Sequence, residues 1–364
     1  MSASKPLLAF AGLLLAAGCG GGGSAPIAPA AETTQPFDVG LDALARQQTV
    51  NGLVPSLQIG VERRGRVVFD RAYGSQSLMP PVAADVTTMY QIASLTKAFT
   101  ATAILLLSQD GKLSLDDALA RYVPEYPPAN AISLRQMLAM TSGIPSDVND
   151  GFTTLYGAID HESVVRRLAT YPLDFSPGTK FEYANLNYYL LGLVVERVSG
   201  ADYASFVAAR ILAPLGLRRT AYMGAWNGPD TASGYWHDGN ARAGFSAHPS
   251  WSPDYLFSMG GLVSDAPDLL RWEESLRAPG LLSAASLATI FAVPNRAISS
   301  YAMGWFVDPD GSYYHVGESG GFNCATAMYA DGYDIVVLGN TWDQYPGAFD
   351  PLAVVQAVHR MLPR

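Results

Sequence analysis

The sequence predicts an α+β fold: one antiparallel sheet built from both ends of the chain, flanked by helices, with a mostly helical subdomain inserted over roughly 112–255. Three observations carry this reading. Strand-like runs cluster near both ends, at 57–62 and 67–73 on one side and at 304–307, 324–329 and 335–338 on the other. Turn dipeptides, Arg64-Gly65 and Asp331-Gly332, join neighbouring runs as hairpins. Between them the apolar residues follow helical rather than alternating spacing. Such a body leaves a cleft where sheet and helical subdomain meet.

In chain order, Lys5 is followed by an apolar stretch over 7–17 and then Gly18-Cys19. This reads as a signal peptide over 1–19, too short to span a bilayer as a helix. Its end, Leu15-Ala16-Ala17-Gly18-Cys19, resembles the bacterial lipoprotein cleavage box, which makes Cys19 the expected lipidated residue. Ordinary secretory cleavage after an alanine is the alternative. Residues 20–36, rich in Gly, Ala and Pro, form a flexible tether to a domain over 37–364. The expected location is the periplasmic face of a bacterial membrane, through the lipid anchor, or else a soluble periplasmic or secreted form.

Residues 38–50 read as a short helix with Leu41, Leu44 and Ala45 on one face. Helical spacing recurs at 115–122, 133–140, 162–170, 186–198 and 203–212, punctuated by Gly178, Gly200 and Gly216. Asp265-Ala266-Pro267-Asp268 opens another helix with proline in its first turn. A closing helix carries Leu352, Val355, Val358 and Leu362 on one face.

Composition narrows the function. Charged residues are 15% of the 364 and the net charge is −9. No basic block exists to follow a phosphate backbone, which argues against nucleic acid as a partner. Cys19 and Cys324 are the two cysteines, so no intramolecular disulfide is expected in the mature protein. Cys324 lies in an apolar run and reads as a small buried hydrophobe. His161, His237, His248, His315 and His359 are scattered without metal-ligand spacing, so neither metal nor cofactor is expected.

The chemistry centres on Gln91-Ile92-Ala93-Ser94-Leu95-Thr96-Lys97. Residues 95–107 are almost all apolar or small, the mark of a helix buried on every side, and Asp110-Gly111 stops it. Ser94 sits where that helix begins, beside unpaired N–H groups and the positive dipole end. Lys97 follows on the same face, within reach of the hydroxyl. Of 23 cationic residues only Lys5, Lys97, Lys112 and Lys180 are lysines, and Lys97 is the one inside an apolar helix. Burial there costs free energy unless the lysine is paired or loses its proton, which makes it a candidate base. Arginine cannot take that role. Ser2-Ala3-Ser4-Lys5 shares the spacing but lies in the signal peptide.

Two further stretches join it. Phe181-Glu182-Tyr183-Ala184-Asn185 follows a turn and precedes a helix for which Asn185 reads as the N-cap. A tyrosine beside a charged Lys97 has a lowered pKa and can act as a base. At Tyr313-Tyr314-His315-Val316-Gly317-Glu318, a strand arriving at glycine lets a substrate approach backbone N–H groups that can hold an oxyanion. Gly317-Glu318-Ser319-Gly320-Gly321 also matches a nucleophile elbow, with Asp343 and His359 as partners in the right order. That elbow needs a helix directly after the serine, whereas 322–329 reads as a strand.

Ser94-Leu95-Thr96-Lys97, Tyr183-Ala184-Asn185 and His315-Val316-Gly317, in this order, resemble the three motifs of the serine β-lactamase and penicillin-binding-protein superfamily. The branch is that of class C β-lactamases and family VIII esterases. The likeness spans roughly 37–362 and includes Met137-Leu138-Ala139-Met140-Thr141-Ser142-Gly143 and Gly260-Gly261-Leu262-Val263-Ser264. It implies a β-lactamase/transpeptidase-like fold, with Ser94 as acylated nucleophile and Lys97 with Tyr183 as a coupled proton-transfer pair. It further implies that Asn185 orients substrate or Lys97, and that the N–H groups of Ser94 and Glu318 form the oxyanion hole. His315 and Gly317 would line the opposite wall. Members that recognise penicillin usually carry Lys-Thr-Gly at the third motif; His315-Val316 offers neither a permanent cation nor a hydroxyl. The expected activity is therefore a serine hydrolase acting on ester, amide or peptide bonds of small substrates, as an esterase or D-amino-acid peptidase. A β-lactamase or D,D-carboxypeptidase is the alternative, and a non-catalytic cell-wall peptide-binding protein is the alternative of another class.

Overall fold

The computed structural model describes residues 37–146, 158–226, 228–237, 244–343, 345 and 347–364. The signal peptide, Cys19 and tether expected over 1–36 lie outside the described residues.

The two ends of the chain meet edge to edge. β1 (Ser56–Arg63), β2 (Arg66–Leu78) and β3 (Pro81–Ala83) come from one end, and β4 (Phe306–Val307), β5 (Tyr313–Ser319), β6 (Phe322–Met328) and β7 (Tyr333–Gly339) from the other. The sheet order is β3-β2-β1-β7-β6-β5-β4, antiparallel throughout. The junction is the β1–β7 ladder, from Leu57 opposite Gly339 to Arg63 opposite Tyr333. Every residue of β7 is buried, which is why its sequence runs apolar instead of alternating.

The principal helices are α1 (Asp38–Val50), α2 (Thr96–Gln109), α3 (His161–Leu168), α4 (Asn185–Ser199), α5 (Pro253–Gly260), α6 (Ala266–Ser275) and α7 (Pro351–Met361). Leu41 and Ala45 of α1 and Val354, Val355 and Val358 of α7 bury against Leu57, Ile59, Val61, Ile335 and Val337 of the sheet. Alternate residues of β7, Val336 and Leu338, join the larger core that surrounds α2. That helix is buried at every position from Thr96 to Leu107 and packs against α4 and α5. Phe99 stacks on Trp272 of α6, with ring centroids 4.1 Å apart.

Three local expectations change. Residues 115–122 are not a helix but turns with one 3-10 turn, Leu119–Arg121. The Leu119 N–H bonds Ile132 O and Ala118 bridges to Ser133, while the Asp117 carboxylate takes the Ser114 N–H. Side-chain and cross-chain partners thus outcompete the helical ladder. The strand expected over 304–307 shrinks to Phe306–Val307, because Met303 N–H turns to Ile290 O and Ala302 N–H to Trp305 O. The helix expected over 203–212 widens after Val207 into a π-turn, Ala208–Leu212.

A small sheet brings the cleft residues together. Leu262–Ser264 pairs on one side with Ala221–Tyr222 and on the other with Tyr90–Gln91, three residues before Ser94.

Candidate active site

From Gln91 the chain makes a 3-10 turn, Ala93–Leu95, and runs directly into α2 without a capping side chain. Ala93 holds φ +45°, a region that costs a residue with a Cβ and persists only where its surroundings enforce it. Ser94 sits partly exposed in this turn, and Lys97 lies fully buried one turn on. Lys97 Nζ is 2.9 Å from Ser94 Oγ and 2.8 Å from Met259 O. Neither neighbour is an anion. Burial therefore pulls the lysine pKa well below its usual value. Nζ donates to the Met259 carbonyl and to Ser94 Oγ, and the lowered pKa eases loss of its proton.

That carbonyl is aimed by a break in α5. At Phe257 the backbone flips to φ 35°, ψ −132°, which presents Ser258 O to Thr100 Oγ1 at 2.6 Å and Met259 O to Lys97. The break seats against Gly192 of α4, where a Cβ would stand 2.6 Å from the Phe257 ring and collide with the Ser258 hydroxyl. Ser258 Oγ donates to Tyr188 O at 2.8 Å and locks the arrangement.

Tyr183 approaches from the start of α4. Its ring is partly exposed and its hydroxyl is sealed from solvent; Lys97 Nζ lies 5.1 Å from the ring centroid. Burial raises the phenol pKa, and Ser94 is near enough to offset part of that rise, although Tyr183 Oη makes no well-formed hydrogen bond. Desolvation thus reverses the direction expected from a charged lysine: the lysine pKa falls and the phenol pKa rises. Asn185 is not the N-cap. Ala184 holds that place without a side-chain bond, and Asn185 lines a small recess over Ser94 as the first residue of α4.

The third motif lies on β5, against the Ser94 turn. A Cβ at Gly317 would collide with Ile92 O and stand 2.7 Å from Cys324 Sγ and 2.9 Å from Leu95. Protein backbone, not an open approach for substrate, fills the space that the glycine leaves. His315, on the same side of the strand, is buried, with Nδ1 2.6 Å from Val316 O and Nε2 3.2 Å from Tyr301 Oη. The carbonyl fixes Nδ1 as the protonated nitrogen. Burial, and to a lesser degree Lys97 whenever it is protonated, push the imidazole pKa down to about 3, so His315 is neutral. Cys324 is buried and its thiol donates to Ile92 O at 3.3 Å. Glu318 is exposed and borders the recess with Ser94 and Asn185.

The elbow reading fails on the same strand. Ser319 is buried and donates to Gln91 Oε1 at 3.1 Å, and β6 follows the Gly320-Gly321 turn where an elbow requires a helix. His359 pairs with Asp331 at 3.0 Å, while Asp343 accepts from His237 N–H and Thr341. Trp251, Tyr255 and the Met259 carbonyl, which complete the site, carried no local signal in the sequence.

Residues 41–359 match the Beta-lactamase family. The chain belongs to that family. Protein flp of Staphylococcus aureus (strain COL) is 31% identical over 326 residues, 84% of this chain and 63% of the relative. The chain thus spans about 63% of the length of this curated relative. The D-amino acid amidase of Ochrobactrum anthropi SV3, solved with D-phenylalanine, superposes with a TM-score of 0.80 at 21% identity, over 90% of this chain and 99% of the amidase. An octameric penicillin-binding protein homologue from Pyrococcus abyssi gives 0.77 at 24%, over 89% and 77%. In this β-lactamase-family chain, Ser94, Asn185 and Glu318, from three segments distant in sequence, line one recess.

Proposed function

We propose that this β-lactamase-family hydrolase cleaves ester or amide bonds through an acyl-serine intermediate at Ser94. One observation carries the reading: a fully buried lysine, with no anion beside it and its pKa lowered by burial, stands 2.9 Å from a partly exposed serine. As Ser94 Oγ attacks the carbonyl carbon, its proton passes to Lys97 Nζ. The backbone N–H groups of Ser94 and Glu318 take the developing oxyanion. The protonated Tyr183 supplies a proton to the leaving alcohol or amine and is reprotonated from Lys97. Water then attacks the acyl-enzyme, its proton passing to the same pair; the acyl–Oγ bond breaks, the acid leaves, and the pair returns the proton to Ser94 Oγ. No step calls on a metal or cofactor.

The neutral His315 and Val316 supply no fixed charge for a substrate carboxylate, which favours esterase or amino-acid amidase chemistry over β-lactamase or D,D-carboxypeptidase activity. The amidase neighbour makes amides of amino acids a substrate class to test alongside short esters. The experiment is a fluorophosphonate probe with peptide mapping: the label falls on Ser94, and Ser94→Ala removes both label and hydrolysis. A label on Ser319 defeats the assignment. For the N-terminal segment we propose a lipid anchor on Cys19 at a membrane surface; a fatty-acid probe marks the protein and Cys19→Ala removes the mark.

A further inference from the structure

Among the described residues that line the recess over Ser94, Glu318 is the one charged side chain. It is exposed, and no described Arg, Lys or His forms an ion pair with it. The two nearby basic groups do not pair with it: Lys97 bonds Ser94 and Met259 O, and His315 is buried and neutral. Burial chiefly, with a smaller contribution from the Glu318 carboxylate, raises the pKa of Tyr183 and of Cys324. Trp251 and Tyr255 stand edge to face across the same recess, with centroids 5.8 Å apart.

This placement has a cost. The residue whose backbone N–H faces the developing oxyanion carries its own negative charge, which opposes that oxyanion. A substrate cation seated between carboxylate and aromatic rings removes the opposition and gains attraction from both. We infer that the recess selects substrates carrying a positive charge near the scissile bond, a protonated amine or quaternary ammonium, with Glu318 as the specificity determinant. The inference rests on the proposed Ser94 chemistry and names the substrate class for it.

Two isosteric pairs test it. p-Nitrophenyl 4-(trimethylammonio)butyrate is compared with p-nitrophenyl 5,5-dimethylhexanoate, which places the charge on the acyl side. Butyrylcholine is compared with 3,3-dimethylbutyl butyrate, which places it on the alcohol side. The readout is the ratio of kcat/KM within each pair, so a general loss of rate does not enter. The wild type favours the cation in at least one pair by about ten-fold, the size of an exposed charge contact joined to a cation–π contact. Glu318→Gln brings that ratio near one, and about 1 M salt weakens it in the wild type, a check that needs no variant. Equal rates within both pairs, or a preference that survives Glu318→Gln, overturn the inference. Fluorophosphonate labelling of Ser94 run in parallel separates the two failures: with labelling intact only the selectivity falls, and without it the hydrolase reading falls too.

Discussion

Lys97 and Arg277 are both cations lodged against the core, and they have opposite fates. Arg277 puts Nε 2.8 Å from Asp334 Oδ2 and a second N–H on the other oxygen of the same carboxylate, and also bonds Tyr329 O and Tyr333 O. Burial works against its charge, but the Asp334 carboxylate overrides it and the guanidinium pKa rises. Lys97 meets a hydroxyl and a carbonyl, and its pKa falls. The difference is the anion. With a counter-charge, a buried cation becomes a structural tie; without one, it becomes a base.

The sharpest break of this comparison exchanges the cations. Lys97→Arg keeps similar length but fixes a positive charge, because arginine cannot yield its proton. It should lower kcat/KM on p-nitrophenyl butyrate by about 10²–10⁴-fold, the range for a general base. A variant with more than a tenth of wild-type activity would remove Lys97 from that role. The matching change at the other site, Arg277→Met, strands the Asp334 carboxylate and should cost about 3–5 kcal/mol in urea unfolding. The folded fraction should still label at Ser94. Unaltered stability would mean that Asp334 does not need its partner.

The same contrast marks what could be read from the chain alone. The apolar helix with a single lysine and the two apolar hairpins were legible because burial on all sides leaves a local imprint, as in α2 and β7. The sheet joining both ends followed from them. The aim of Lys97 was not legible. It depends on the Phe257 flip, the Gly192 socket and Met259 O, which lie between 95 and 162 residues from Lys97 and owe nothing to its neighbours in sequence. Residues 115–122 misled for the converse reason: helical spacing was present, but Ile132 and Ser133 captured the backbone. Gly317 was singled out correctly as a point of close approach, yet what approaches is Ile92 and Cys324.

Stability should depend on pH with opposite signs at the two sites. The folded pKa of Lys97 lies below the unfolded one, so the unfolded state binds the extra proton and stability rises with pH toward the usual lysine value. Lys97→Met should therefore stabilise the protein at pH 7, and the gap should narrow toward pH 10. Near Arg277, Glu62 is raised to about 7, chiefly by burial and then by Asp334 and Glu274. Its contribution is present below the ordinary glutamate pKa and is lost as pH rises through about 7. Glu62→Gln keeps an acceptor for the Gly65 N–H, bonded at 3.1 Å, and should stabilise above pH 7 by about 3 kcal/mol at most. Parallel pH slopes for the two variants would sink this account.

The smallest effect comes from placing a second cation beside Lys97. His315 is neutral at working pH because burial and Lys97 hold its pKa down to about 3, so it contributes a dipole and no charge. Val316 adds no hydroxyl, a contact worth on the order of 1 kcal/mol. A substrate carboxylate therefore lacks the charge-assisted bonds that are about twice as strong as neutral ones, and an uncharged ester loses nothing by their absence. Short p-nitrophenyl esters should accordingly be turned over with higher kcat/KM than nitrocefin or benzylpenicillin. Ester and lactam bonds differ in intrinsic reactivity, so the decisive measurement is a change in ratio. His315→Lys/Val316→Thr should move the ester-to-lactam ratio toward the lactams by about ten-fold, one charge-assisted bond by the usual conversion. The gain should be larger at pH 6 than at pH 9, because two neighbouring amines share one protonation equilibrium and the second charge is lost first. A ratio unmoved by the double variant, or a wild type that already prefers lactams, would mean that the carboxylate is held by some group other than the third motif.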